Sequence, residues 1–162
     1  MDRAEQAAQQ WAREFPELET GAMVLLGRLG EAAQVIARDH LNPLFARFGL
    51  QPGEFDVLAT LRRSGAPYAL TPTALYETAM ISSGSMTNRI DRLEKAGFVE
   101  RQPNPSDKRG TLVALTGEGL ALIEPAVMAH VENQINIVSM LTRDEQAHLS
   151  ALLAKLVEPG TG

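Results

Sequence analysis

Apolar side chains recur at helical spacing along most of the chain, and one short stretch changes to the two-residue period of strands. Residues 2–15 are rich in Ala and Gln around the i,i+4 pair Trp11 and Phe15, and Pro16 stops the segment, so a short first helix is predicted. From Thr20 to Phe48 the positions Leu25, Leu29, Ala33, Ile36, His40 and Leu44 keep a helical period. Pro43 is expected to kink or split that helix, and Gly49 to end it. Pro52 suits an early helical position ahead of Phe55, Val57, Leu58 and Leu61, with Ser64-Gly65 closing the segment. Thr71 caps a short helix opened by Pro72 and running through Ala79. Ser82 or Ser83 caps the next, which runs to Ala96 and stops at Gly97. Phe98 to Gln102 and Thr111 to Leu115 read as two strands, with the turn-formers Pro103-Asn104-Pro105-Ser106-Asp107 between them as a long hairpin loop. Thr116 caps a long helix bearing Leu120, Ile123, Val127, Val131, Ile135 and Val138 on one face, with Pro125 as a bending point. A last helix starts at the capping box Thr142-x-x-Glu145 and carries Leu149, Leu152, Leu153 and Leu156.

The predicted fold class is mainly α with a small β-hairpin wing. Three short helices running directly into a hairpin describe a winged helix-turn-helix, whose second motif helix enters the DNA major groove while the hairpin tip reaches an adjacent minor groove. With 162 residues, 44% of them hydrophobic, one domain spanning 1–162 is expected, long enough for its own core. Absence of Cys excludes a disulfide framework, a thiolate metal site and a Cys nucleophile. No apolar run approaches the roughly 18 residues of a membrane span, and no signal-peptide core follows Met1, so a cytoplasmic protein without membrane partners is expected.

A net charge of −5 argues at first against a nucleic-acid partner. The distribution changes that. Between Arg62 and Arg109 eight basic residues face five acidic ones, so the centre is mildly positive inside acidic flanks. That pattern fits one anion-facing surface, and on charge alone it fits a solvated surface equally well. The helical wheel of residues 83–96 is more informative. Met86, Ile90 and Leu93 form one apolar stripe, Asn88, Arg92 and Lys95 lie opposite it, and Ser85, Thr87 and Asn88 occupy the first turns, where hydroxyls and amides meet base edges or phosphates. An amphipathic surface helix is the plain alternative, and the following hairpin weighs against it.

The run from Ser85 through Arg92 to Arg101, containing Thr87-Asn88-Arg89-Ile90-Asp91-Arg92, resembles the recognition helix and first wing strand of MarR-family transcriptional regulators. Asp107-Lys108-Arg109 followed by Leu115-Thr116 is similar to that family's wing signature and the start of its next helix. The resemblance covers nearly the whole chain. It implies a homodimer joined by terminal helices, approximately 1–48 and 117–162, with a winged DNA-binding region over 52–115 that reads a pseudopalindromic operator in double-stranded DNA. Ser83, Ser85, Thr87, Asn88, Arg92, Lys108 and Arg109 are the expected DNA-facing residues. Arg109 suits a narrow, negative minor groove, and Asp107 either shapes the wing turn or holds Arg109.

Arg89 falls at the margin of the apolar stripe, where a charge needs a partner. A bridge to phosphate or to a neighbouring Glu satisfies it on one reading. On another, the chain resembles the urate-responsive branch of the family, which implies a ligand site of Trp11, Asp56, Arg89 and Arg101. An anionic purine wants Arg for charge and bidentate hydrogen bonds and an aromatic ring to stack upon, while Asp56 would be repelled and shift its helix. Release from the operator by urate or a similar small aromatic anion is then expected. A phenolic ligand, or architectural DNA binding without any ligand, are the alternatives. No cofactor or metal is expected, and no enzyme: the chain lacks G-x-S-x-G, a Walker loop and G-x-G-x-x-G, and His40, His130 and His148 lie far apart, each read as a surface or satisfied core His.

Overall fold

The computed structural model describes residues 1–79 and 86–158, which form two compact units, 1–43 and 44 onward. In the first, α1 (Arg3–Glu14) begins where Asp2 Oδ1 accepts the Glu5 N–H at 2.9 Å, and α2 (Gly21–Val35) continues into a π-helical stretch, Ile36–Leu41. Gly27 lets α2 approach α1 closely, since a Cβ there would meet the Ala4 Cβ at 2.8 Å. Arg28 ties the pair by donating to Asp2 at 2.6 Å. Helix α3 (Asn42–Arg47) follows, so the long helix expected from Thr20 to Phe48 is one helical run with a π-helical insertion just before Pro43. Such an insertion accommodates the amide hydrogen bond a proline cannot make. Gly49, at φ +70°, ends the run as expected.

The second unit is built on α4 (Glu54–Arg63), whose Val57, Leu58 and Leu61 are completely buried. Around them pack Leu75 of α5 (Pro72–Thr78), Ile90 and Leu93 of α6 (Met86–Lys95), Val99 of β2 (Val99–Asn104), Val113 of β3 (Asp107–Leu115) and Ile123 of α7 (Gly117–Val138). Thr71, Thr116 and Thr142 each cap the helix that the sequence assigns them, and Glu145 completes the capping box of α8 (Arg143–Val157). A two-residue strand, β1 (Ala69–Leu70), is not evident from the sequence. It adds to the hairpin in the order β1-β3-β2, all antiparallel.

Two boundaries differ from expectation. The hairpin has no long loop: pairing continues to Asn104 opposite Asp107, leaving Pro105 and Ser106 as the turn. Side-chain turns close it, with Asn104 Oδ1 accepting the Ser106 N–H at 3.0 Å and Asp107 Oδ1 accepting the Arg109 N–H at 2.9 Å. Helix α4 starts at Glu54 rather than around Pro52, because Gly53 takes a left-handed conformation at φ +85°.

The hairpin base is joined firmly to α7. Thr116 Oγ1 donates to the Gly97 carbonyl at 2.6 Å, its N–H donates to the Phe98 carbonyl at 3.1 Å, and a Cβ at Gly119 would collide with that same carbonyl. Beyond Ala126 the apolar face of α7 is not covered within the unit: Val131, Ile135 and Val138 are exposed, as are Leu149, Leu152 and Leu156 of α8.

Candidate nucleic-acid interface and small-molecule site

Helix α6 turns Ile90 and Leu93 into the core and leaves Thr87 and Asn88 exposed in its first turn. Lys108 and Arg109 are exposed beside the hairpin tip. Asp107 spends an oxygen on the Arg109 backbone, so of its two expected roles the structure displays the turn-shaping one. Ser83 and Ser85, with the cap expected at Ser82 or Ser83, lie outside the described residues.

Two arginines of α6 reach the beginning of α4. The Arg89 guanidinium lies directly over Gly53, where any Cβ would collide with its Nε and Cζ. Its Nη1 is buried and has no hydrogen-bond acceptor among the described residues. Such an unmet donor costs roughly 1–3 kcal/mol or more for a charged group. One turn further, Arg92 Nη2 donates to Glu54 Oε1 at 2.7 Å, and Glu54 Oε2 accepts the Gln51 N–H at 2.6 Å. Arg92 therefore does not stand free on the outer face as the wheel implies. Its long side chain returns to a carboxylate that is almost wholly buried.

Asp56 occupies the same first turn of α4 and is half-buried. Burial raises its carboxyl above the ordinary value of 3.8, while the positive groups nearby, His130, Arg63 and Arg89, pull it back. His130 comes from α7. Its ring packs 4.7 Å from Phe55 and 5.5 Å from Phe45, and those two rings stack on each other at 4.6 Å. Burial lowers the imidazole below 6.5, with Asp56 opposing that shift. Its Nδ1 is buried and has no partner among the described residues, so His130 is neither a surface histidine nor a satisfied core one. Nothing local marks it, because the rings that hold it come from α3 and α4.

Of the four residues that resemblance assigns to a ligand, the structure brings Asp56 and Arg89 together. Arg101 is half-buried elsewhere, donating to Asp91 at 2.5 Å and to Glu94, which ties β2 to α6. Those two carboxylates hold its guanidinium more firmly protonated. Trp11 belongs to the first unit, where its ring lies 5.8 Å from that of Phe15. Arg63, which the sequence did not single out, is occupied by the Thr78 carbonyl at 2.6 Å.

The sequence profile described as the MarR family matches residues 50–111, from the turn before α4 to the middle of β3. The HTH-type transcriptional regulator PecS of Dickeya dadantii is 43% identical over 148 residues, covering 91% of this chain and 89% of its own. This chain belongs to the MarR family. Within it, the regulator is PecS-like, and it is a transcriptional regulator rather than an enzyme. Solved structures agree. A mutant of Escherichia coli MarR complexed with operator DNA is 32% identical with a TM-score of 0.72, covering 91% of this chain and 97% of its own. A MarR family regulator from Streptomyces coelicolor, also in complex with DNA, is 28% identical with a TM-score of 0.74 and covers 88% and 91%. Among the described residues no helix is long and apolar enough to cross a membrane.

Proposed function

We propose that this MarR-family regulator binds a pseudopalindromic operator as a homodimer and is released from it, as a repressor, by urate or a similar planar anion. Helix α6 enters the major groove with Thr87 and Asn88 leading, and Lys108 and Arg109 meet the backbone and minor groove beside it. The exposed apolar side chains Val131, Ile135, Leu152 and Leu156 supply a surface for the second copy.

One observation carries the ligand reading. Arg89, with a buried nitrogen that lacks an acceptor among the described residues, projects from the turn of α6 that also presents Thr87 and Asn88. An anion satisfying that nitrogen sits beside Asp56 and repels its carboxylate. Relief of that repulsion moves the first turn of α4, and α6 is fastened to that turn through Gly53 and Glu54. Ligand and operator then oppose each other by linkage. On this reading Arg101 acts indirectly, setting α6 through Asp91 and Glu94, and Trp11, the only tryptophan, offers a fluorescence readout.

The test is a gel shift on the chain's own upstream intergenic DNA, with and without urate, for wild type and Arg89→Ala. Urate is expected to release the wild type and to leave the variant bound. DNA binding that urate never alters, with urate binding absent by calorimetry, overturns the ligand reading and leaves operator binding standing.

A further inference from the structure

The groups gathered on the first turn of α4 have a definite donor and acceptor pattern. Arg89 offers only N–H donors, and Nη1 among them has no acceptor among the described residues. Asp56 offers carboxylate oxygens, which accept. His130 offers an Nδ1 without a partner among the described residues, on an imidazole packed against the stacked rings of Phe45 and Phe55. Asp56, Arg89 and His130 are all half-buried, so the cluster borders solvent.

We propose that His130 is a ligand-recognition residue of this site, and that the site takes a planar heterocyclic anion presenting a carbonyl oxygen and a ring N–H on one edge. The inference rests on the ligand reading above and adds to it the chemistry that selects the ligand. The carbonyl oxygen accepts from Arg89, and the N–H donates to the neutral imidazole at Nδ1. Burial keeps that imidazole neutral near pH 7, so the nitrogen can accept. A simple aromatic carboxylate such as benzoate brings a second acceptor in place of the N–H, and that acceptor faces the carboxylate of Asp56 and the lone pair of His130. Discrimination of this kind is strong when a buried polar group of the site is left unpaired by the wrong ligand.

Calorimetric titration of full-length, DNA-free protein with urate and with benzoate tests this, using wild type, Arg89→Ala, His130→Phe and His130→Asn. His130→Phe keeps the packing on Phe45 and Phe55 and removes the nitrogens. His130→Asn restores an acceptor close to the Nδ1 position. The urate-to-benzoate affinity ratio is expected to fall about tenfold or more in His130→Phe and to recover at least partly in His130→Asn. Nitrogen NMR of the wild-type imidazole, which needs no variant to fold, is expected to show the Nδ1 resonance moving as urate is added. An unchanged ratio in a folded His130→Phe, or an Nδ1 resonance that urate leaves in place, overturns the role of His130 while loss of binding in Arg89→Ala keeps the ligand reading intact. Wild type that binds urate no better than Arg89→Ala overturns both.

Discussion

Arg92 of α6 donates to Glu54 at 2.7 Å, and Glu54 is the first residue of α4 and, among the described residues, the one buried charged side chain. The same carboxylate accepts the Gln51 N–H, so it both braces the turn leading into α4 and anchors α6. This pairing changes what a mutation at Arg92 means. A guanidinium that neutralises phosphate affects the salt dependence of DNA binding, whereas one that positions a helix affects affinity at every salt concentration.

The first prediction separates the two. Because Arg92 is half-exposed, solvent screens much of the pair, and its loss is expected to cost only about 1 kcal/mol in urea unfolding. Glu54→Gln and Arg92→Ala are both expected to weaken operator binding severalfold. If Arg92 acts through Glu54 alone, neither variant changes the slope of log affinity against log salt. A slope that drops by about one in Arg92→Ala, and not in Glu54→Gln, places the guanidinium on a phosphate instead.

Arg109 gives the contrasting case. Its backbone is fixed by Asp107 while its side chain is exposed, so Arg109→Ala is expected to leave thermal stability unchanged within about 0.5 kcal/mol. Operator affinity falls and the salt slope becomes shallower by about one, because one fewer counterion is released. Equal affinity and slope in the variant would remove Arg109 from the interface.

Gly53 carries two constraints at once, a left-handed φ and the Arg89 guanidinium in the space a side chain would fill. Gly53→Ala is therefore expected to destabilise the fold by about 1–2 kcal/mol from backbone strain. It is also expected to push Arg89 away and weaken urate binding along with it. A melting temperature equal to that of wild type would show that the turn relaxes freely.

The helices, their caps and the wing were legible because each is encoded within a few neighbouring residues: Thr71, Thr116 and Thr142 sit at the starts of the apolar periods they cap. The hairpin is longer than its sequence suggests, because Asn104 and Asp107 read as loop-formers yet here close a tight turn. The candidate site was half legible. Asp56 and Arg89 follow from the resemblance, but Glu54 and His130 do not. A Glu opening a helix reads as a favourable partner of the helix dipole, and its match at Arg92 is 38 positions away. The role of His130 depends on Phe45 and Phe55, which no local pattern joins to it.

His130 also makes stability depend on pH in a direction that can be stated. Its folded-state pKa lies below 6.5, because burial among Phe45 and Phe55 disfavours the charged ring more than Asp56 favours it. Between that lowered value and 6.5 the unfolded chain holds more protons than the folded one, so stability is full above 6.5 and declines as pH falls through this window. Arg63 and Arg89 also act electrostatically on Asp56. Asp56 works in the opposite sense but at lower pH. Its carboxyl is raised above 3.8, so the folded state holds the extra proton and this contribution is lost as pH rises through a window starting at 3.8. Urea unfolding of wild type and His130→Phe from pH 7 down to about 5 isolates the imidazole. Wild type is expected to lose stability relative to the variant as the pH falls, and a constant difference across that range would mean that the folded and unfolded histidine titrate alike.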